Sequence, residues 1–123
     1  MIQNIERVHP MKREKILNGL QFIEKYNTTG VVKRIILFGS AVTPDCTEES
    51  DIDLYIVLFP GKEQEKITYQ IQGVEFTTSI EFMLSGGLPQ ITNDVCDVIF
   101  AHRSSEKLKQ EVNEKGIKIY EYT

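Results

Sequence analysis

The sequence predicts an α/β or α+β domain in which a small mixed sheet is flanked by helices. Two β-branched apolar runs, Val31 to Phe38 and Ile52 to Phe59, read as buried strands. Helical periodicity precedes the first run and returns near the carboxyl end, and turn-forming residues punctuate the junctions. The expected order is helix, strand, loop, strand, mixed crossover, strand, helix, strand; the order of strands within the sheet does not follow from it.

The first helix is expected over about 11–26. Pro10 suits a first helical turn, where its missing N–H would be unpaired anyway, and Ile16, Leu20 and Ile23 recur at spacings of four and three. Asn27-Thr28-Thr29-Gly30 stops the helix, and the strand that follows ends at Gly39. The polar stretch Thr43 to Ser50, with its Pro44-Asp45 turn signal, reads as a loop after a brief helical turn. In the second strand Ile52, Leu54, Ile56 and Leu58 share one face, and Pro60-Gly61 ends it.

From Lys62 to Asn93 the pattern is mixed. Ile67 to Ile71, Val74 to Phe76 and Ile80 to Leu84 fit either strand pieces around Gly73 or an irregular helical crossover. Val95 to Ala101 reads as a further strand. Ser104 or Ser105 can cap a helix that carries Leu108 and Val112, Gly116 ends it, and Ile117 to Tyr122 makes a last short strand.

With 123 residues the chain is expected to form one domain, 1–123, with one core and no separate substrate domain. Apolar residues make up 41% and charged residues 26%, without low-complexity tracts, as in soluble globular proteins. The apolar runs are far shorter than the roughly 20 residues of a membrane-spanning helix, and Met1 to Glu6 lacks a basic segment leading into an apolar one. A cytoplasmic protein is expected. Cys46 and Cys96 belong to no Cys-x-x-Cys pair and read as ordinary thiols. The net charge of −4 argues against nucleic acid as the default partner.

The chemistry concentrates over 35–58. Leu37-Phe38-Gly39-Ser40 ends one strand, and after a spacer of ten residues, Ala41 to Ser50, the segment Asp51-Ile52-Asp53-Leu54 opens the next. Residues two apart in a strand point the same way, so Asp51 and Asp53 are expected to present two carboxylates on one face while Ile52 and Leu54 enter the core. Such a pair repels itself unless a cation lies between. Mg2+ is the natural one, because it takes oxygen ligands and is commonly held by one or two carboxylates together with substrate phosphates. Gly39 lets backbone approach a phosphate, and Ser40 offers its hydroxyl and neighbouring N–H groups.

Gly-Ser, a ten-residue spacer and Asp-x-Asp together resemble the signature of the DNA polymerase β-like nucleotidyltransferase superfamily, most closely its minimal nucleotidyltransferases. The resemblance runs from about Val32 to the end, taking in Cys96-Asp97-Val98-Ile99-Phe100 and Gly116-Ile117-Lys118-Ile119-Tyr120. It implies a polymerase β palm-like fold, a nucleotide triphosphate such as ATP held at Gly39 and Ser40, and two Mg2+ ions bound by Asp51 and Asp53. It implies Asp97 as a third carboxylate that helps activate the attacking hydroxyl. Glu81, in the apolar setting Ile80-Glu81-Phe82-Met83, is the reserve third carboxylate, and Glu75 a more distant one. The sequence departs from the pattern at Ala41 and Pro44, where family members often carry an arginine and a glycine.

The resemblance further implies transfer of AMP to a hydroxyl acceptor outside the chain. In toxin–antitoxin pairs of this kind the nucleotidyltransferase is the antitoxin and adenylylates a tyrosine of its helical HEPN-type ribonuclease toxin. An antibiotic-modifying adenylyltransferase would need a second domain for the drug. A degenerate module that neutralises a partner by covering it would not need Asp51 and Asp53. His9 and His102 have no metal-ligand spacing and fit capping or surface roles. Lys62, Lys66 and Arg103 read as solvated charges, and Tyr120-Glu121-Tyr122 as sheet-edge packing. An oligomer is compatible with all of this.

Overall fold

In the computed structural model, which describes residues 1–123, helix α1 spans Pro10–Tyr26. His9 caps it, its Nδ1 accepting the Met11 amide at 3.1 Å. The capping role expected of His9 is therefore what it performs. Ile16, Leu20 and Ile23 face the core as their spacing predicts, and Lys12 shares that face.

The helix stops at Asn27, a buried amide that makes four hydrogen bonds. Its Oδ1 accepts the amides of Val31 and Val32, both at 2.9 Å, and its Nδ2 donates to the Val32 carbonyl at 2.8 Å and to the Tyr120 hydroxyl at 2.9 Å. One side chain thus ties the end of α1, the start of β1 (Val32–Phe38) and the last strand, β6 (Ile117–Glu121), into a single corner. Tyr120 is 2% exposed, and the Tyr122 hydroxyl donates to the Thr28 carbonyl, so the tyrosine tail is packing.

Strands β1 and β2 (Ile52–Leu58) pair antiparallel, and β6 pairs antiparallel with the other edge of β1. Strand β5 (Cys96–Phe100) runs parallel to β2, which makes the sheet mixed, with order β5-β2-β1-β6. A parallel pair needs a crossover, and residues 59–95 supply it.

The crossover holds both alternatives that the sequence left open. Lys66–Ile71 (β3) and Val74–Ser79 (β4) form a separate hairpin, turned at Gln72-Gly73 with both φ angles positive, as a two-residue hairpin turn requires. Ile80–Thr92 is helix α2. Ile80 to Leu84 is therefore helical and not a strand piece: Ser79 Oγ caps the Phe82 amide at 3.1 Å, and Ile80, Met83, Leu84 and Leu88 are buried at helical spacing while Phe82 is exposed. The apparent alternation of Ile80, Phe82 and Leu84 conceals that period.

Helices α1 and α2 pack on one face of the sheet over the main core, which includes Ile35, Leu37, Ile52, Leu54, Ile56 and Ile119. Helix α3 (Glu106–Lys115), capped by Ser105, covers part of the other face through Val112 against Ile36 and Tyr55. The two cysteines are free.

Asn27→Ala should destabilise the protein by roughly 2–4 kcal/mol in urea unfolding, because two buried strand amides lose their acceptor. A loss below about 0.5 kcal/mol would mean that the corner is held by packing alone.

Candidate active site

Strand β1 ends at Phe38, and the chain turns at Gly39 with φ +75° into a short 3-10 turn, Gly39–Val42. A side chain at Gly39 would be strained by that φ and obstructed besides: a Cβ placed there would lie 2.2 Å from Asp53 Oδ2. Register explains the meeting, since Phe38 and Asp53 are partners across β1 and β2. The turn is anchored from both sides. The His9 amide donates to the Ala41 carbonyl at 2.9 Å, and the Thr43 amide and hydroxyl both donate to the Ser40 carbonyl at 3.0 Å. Ala41 is fully buried in the core. The position where family members often carry an arginine therefore has room only for a small side chain.

Asp53 and Asp97 are register partners on the parallel strands β2 and β5. Paired residues of adjacent strands point to the same face, so these two carboxylates stand side by side on the α3 side of the sheet. Asp51 is exposed and lies one residue before β2. The ladder between β2 and β5 opens with the Ile52 amide donating to the Val95 carbonyl at 2.9 Å, so Asp51 precedes the first rung. Its charge nonetheless reaches Asp53. The Asp53 carboxyl is pushed above its ordinary range by burial first, then by the negative charges of Asp97 and Asp51.

The reserve carboxylates lie elsewhere. Glu81, on the first turn of α2, lies 3.3 Å from His102 Nε2 and forms an ion pair with Arg103, at the end of β5 away from Asp97. A charge that read as solvated in the sequence, Arg103, is thus the partner of Glu81. Glu75 is exposed on β4, opposite Gln70. Lys62 meets Glu65 at 3.6 Å, and Lys66 is exposed at the start of β3.

A groove of about 570 Å³ adjoins Gly39, lined by Phe38, Gly39, Val42, Thr43, Glu111 and Lys115. Glu111 and Lys115 were not among the expected site residues. They arrive because Gly116, whose absent Cβ would lie 2.5 Å from Ile36 Cγ2, lets the end of α3 press against β1. A lysine one residue before a helix-ending glycine is the only sign of this in the sequence.

The donor set suits a hard divalent cation. Three carboxylates collect at one end of two strands, and Asp53 is raised by burial first and then by the charges of the other two. No three His, Cys, Asp or Glu side chains are gathered closely enough to hold a metal ion by themselves. A cation held there would draw its remaining ligands from water and substrate phosphate, as Mg2+ usually does.

The chain matches the family described as polymerase beta, nucleotidyltransferase, over residues 20–123. It is 47% identical over 47 residues to a candidate protein adenylyltransferase of Methanocaldococcus jannaschii, a stretch that is 38% of this chain and 47% of that relative's length. Its fold is similar to a chain in a crystal structure of a toxin–antitoxin with AMP-PNP, at a TM-score of 0.59 and 18% identity over 89% of this chain and 73% of that one. It is also similar to a chain in a re-refined structure of a tri-AMPylated Shewanella oneidensis HEPN toxin in complex with its MNT antitoxin. There the TM-score is 0.53 and the identity 19%, over 88% of this chain and 73% of that one.

Asp53 holds its proton to higher pH in the fold than in the unfolded chain, so it withdraws stability as pH rises through its folded value. Asp53→Asn should therefore raise the melting temperature of metal-free protein at pH 7, and the gain should vanish below about pH 4, where both states carry the proton. Thermal melts across pH check this; a variant less stable than wild type at pH 7 would contradict it.

Proposed function

Since the chain belongs to the polymerase β nucleotidyltransferase family, we propose that it acts as a single domain transferring AMP from ATP to a hydroxyl of a protein acceptor. The observation that carries this reading is the side-by-side placement of Asp53 and Asp97 with the Asp53 carboxylate against Gly39.

In this reading Gly39, Ser40 and the groove that adjoins them hold the nucleotide, with Lys115 the cation beside its phosphates. Lys115 lines the groove at a point where buried Ala41 can offer no charge. Asp51, Asp53 and Asp97 would hold the Mg2+ ions, two in this reading. When bound, such ions neutralise charge on the phosphates and lower the pKa of the attacking hydroxyl. The hydroxyl oxygen bonds to the α-phosphorus as the bond to pyrophosphate breaks, and Asp97 takes the hydroxyl proton. The side chains contribute position and charge, which is most of what phosphoryl chemistry asks of a protein.

The acceptor we infer is a tyrosine of a helical HEPN-type toxin, with this chain as its antitoxin. Two structural neighbours come from toxin–antitoxin structures, one holding AMP-PNP and one a toxin that carries AMP groups. The relative from Methanocaldococcus jannaschii is named for protein adenylylation.

ATP labelled at the α-phosphate, Mg2+ and such a partner should yield a partner labelled on tyrosine, and ATP labelled at the γ-phosphate should yield none. Asp53→Asn and Asp97→Asn should each slow labelling by more than about 100-fold. A partner neutralised equally well by wild type and Asp51→Asn/Asp53→Asn, without label, would identify a module that acts by binding alone.

A further inference from the structure

Lys12 is a lysine on an apolar helix face, four residues before Ile16 and eight before Leu20, and only 1% of it is exposed. Its ammonium is spent on two separate segments. Nζ donates to the Glu48 carbonyl at 2.8 Å and to Asp94 Oδ2 at 2.7 Å. Glu48 lies three residues before Asp51, and Asp94 three residues before Asp97.

Each tether continues through short bonds to a carboxylate. On one side Thr47 to Ser50 closes as a turn, the Ser50 amide donating to the Thr47 carbonyl at 3.1 Å and the Thr47 amide to Ser50 Oγ at 2.9 Å, and this turn delivers Asp51. On the other, Asp94 Oδ1 accepts the Val95 amide at 2.8 Å, and the Val95 carbonyl accepts the Ile52 amide in the first rung between β2 and β5. Lys12, Asp94, Val95, Ile52 and the Thr47–Ser50 turn thus form a closed ring around the starts of both strands.

Stability alone does not call for this arrangement. A buried ion pair is often no better than apolar side chains of the same volume. An apolar group, however, cannot make directed bonds to a carbonyl on one segment and a carboxylate on another. Resting on the proposed nucleotidyltransferase site, we propose that Lys12 is a positioning residue: it clamps the loop before β2 to the turn before β5 and so sets the spacing of Asp51, Asp53 and Asp97 for divalent cation. Lys12 touches none of the three. Its effect passes through the backbone, so it should appear in cation affinity more than in nucleotide contacts.

The test is Lys12→Met, in which Lys15 still pairs with Asp94 at 3.3 Å, with Lys12→Met/Asp94→Asn as the variant that also removes the carboxylate charge while keeping an acceptor for the Val95 amide. Free Mn2+ would be followed by electron paramagnetic resonance in the presence of AMP-PNP, and exchange of the Ile52 amide measured without metal. Both variants should weaken Mn2+ binding by about 10- to 100-fold and speed Ile52 exchange, and Lys12→Arg should recover part of each. Folded variants that bind Mn2+ as wild type does and protect Ile52 equally would overturn the clamp. If wild type itself takes up no Mn2+ with nucleotide, the nucleotidyltransferase reading fails; the clamp then stands or falls on Ile52 exchange, which unchanged would overturn it.

Discussion

Carboxylates on neighbouring strands, pointing to one face, repel each other, and a sheet will not gather them without something that holds the strands regardless. Here that pressure falls where β2 and β5 begin, with Asp53 beside Asp97 and Asp51 one step outside. Much of the architecture answers it. The parallel ladder fixes Asp53 against Asp97, a backbone without a side chain at Gly39 leaves space for the Asp53 carboxylate, and Lys12 ties the two approaching segments from behind.

The two faces of the sheet divide the work. Beneath, α1 and α2 bury the alternating residues Ile52, Leu54 and Ile56, so the intervening Asp53 and Tyr55 must face the other way. Above, α3 covers only part of the sheet, leaving Asp53 half-buried and a groove between the Gly39 turn and Lys115. The same alternation that fills the core therefore aims the carboxylates, and no residue of the signature is available to the core. What results is a cluster of carboxylates beside a groove whose one cationic lining residue is Lys115.

Much of this was legible in the sequence because it rests on local pattern. The alternation in β2, the helical spacing in α1 and the break at Gly39 each state their structure within a few residues. That Asp97 stands beside Asp53 was not legible, because a strand's neighbour is a remote choice and the start of β5 lies more than forty residues from that of β2. Ile80 to Leu84 stayed open between strand and helix because a five-residue window holds both periods, and the cap at Ser79 marks it as the start of a helix. Lys12 carried a readable sign, a charge at an apolar position of a helix, but its partners Glu48 and Asp94 come from two distant loops. The role of Glu81 needed the same kind of remote knowledge, since His102 and Arg103 reach it only once β5 is in place.

The central claim is that these carboxylates and the Gly39 turn form a metal-dependent nucleotide site, and calorimetric titration of ATP with Mg2+ tests it most directly. Wild type should bind ATP only when Mg2+ is present, and Asp51→Asn/Asp53→Asn, folded to the same extent, should not bind it. Binding of equal strength with and without Mg2+, or in both proteins alike, would contradict the account.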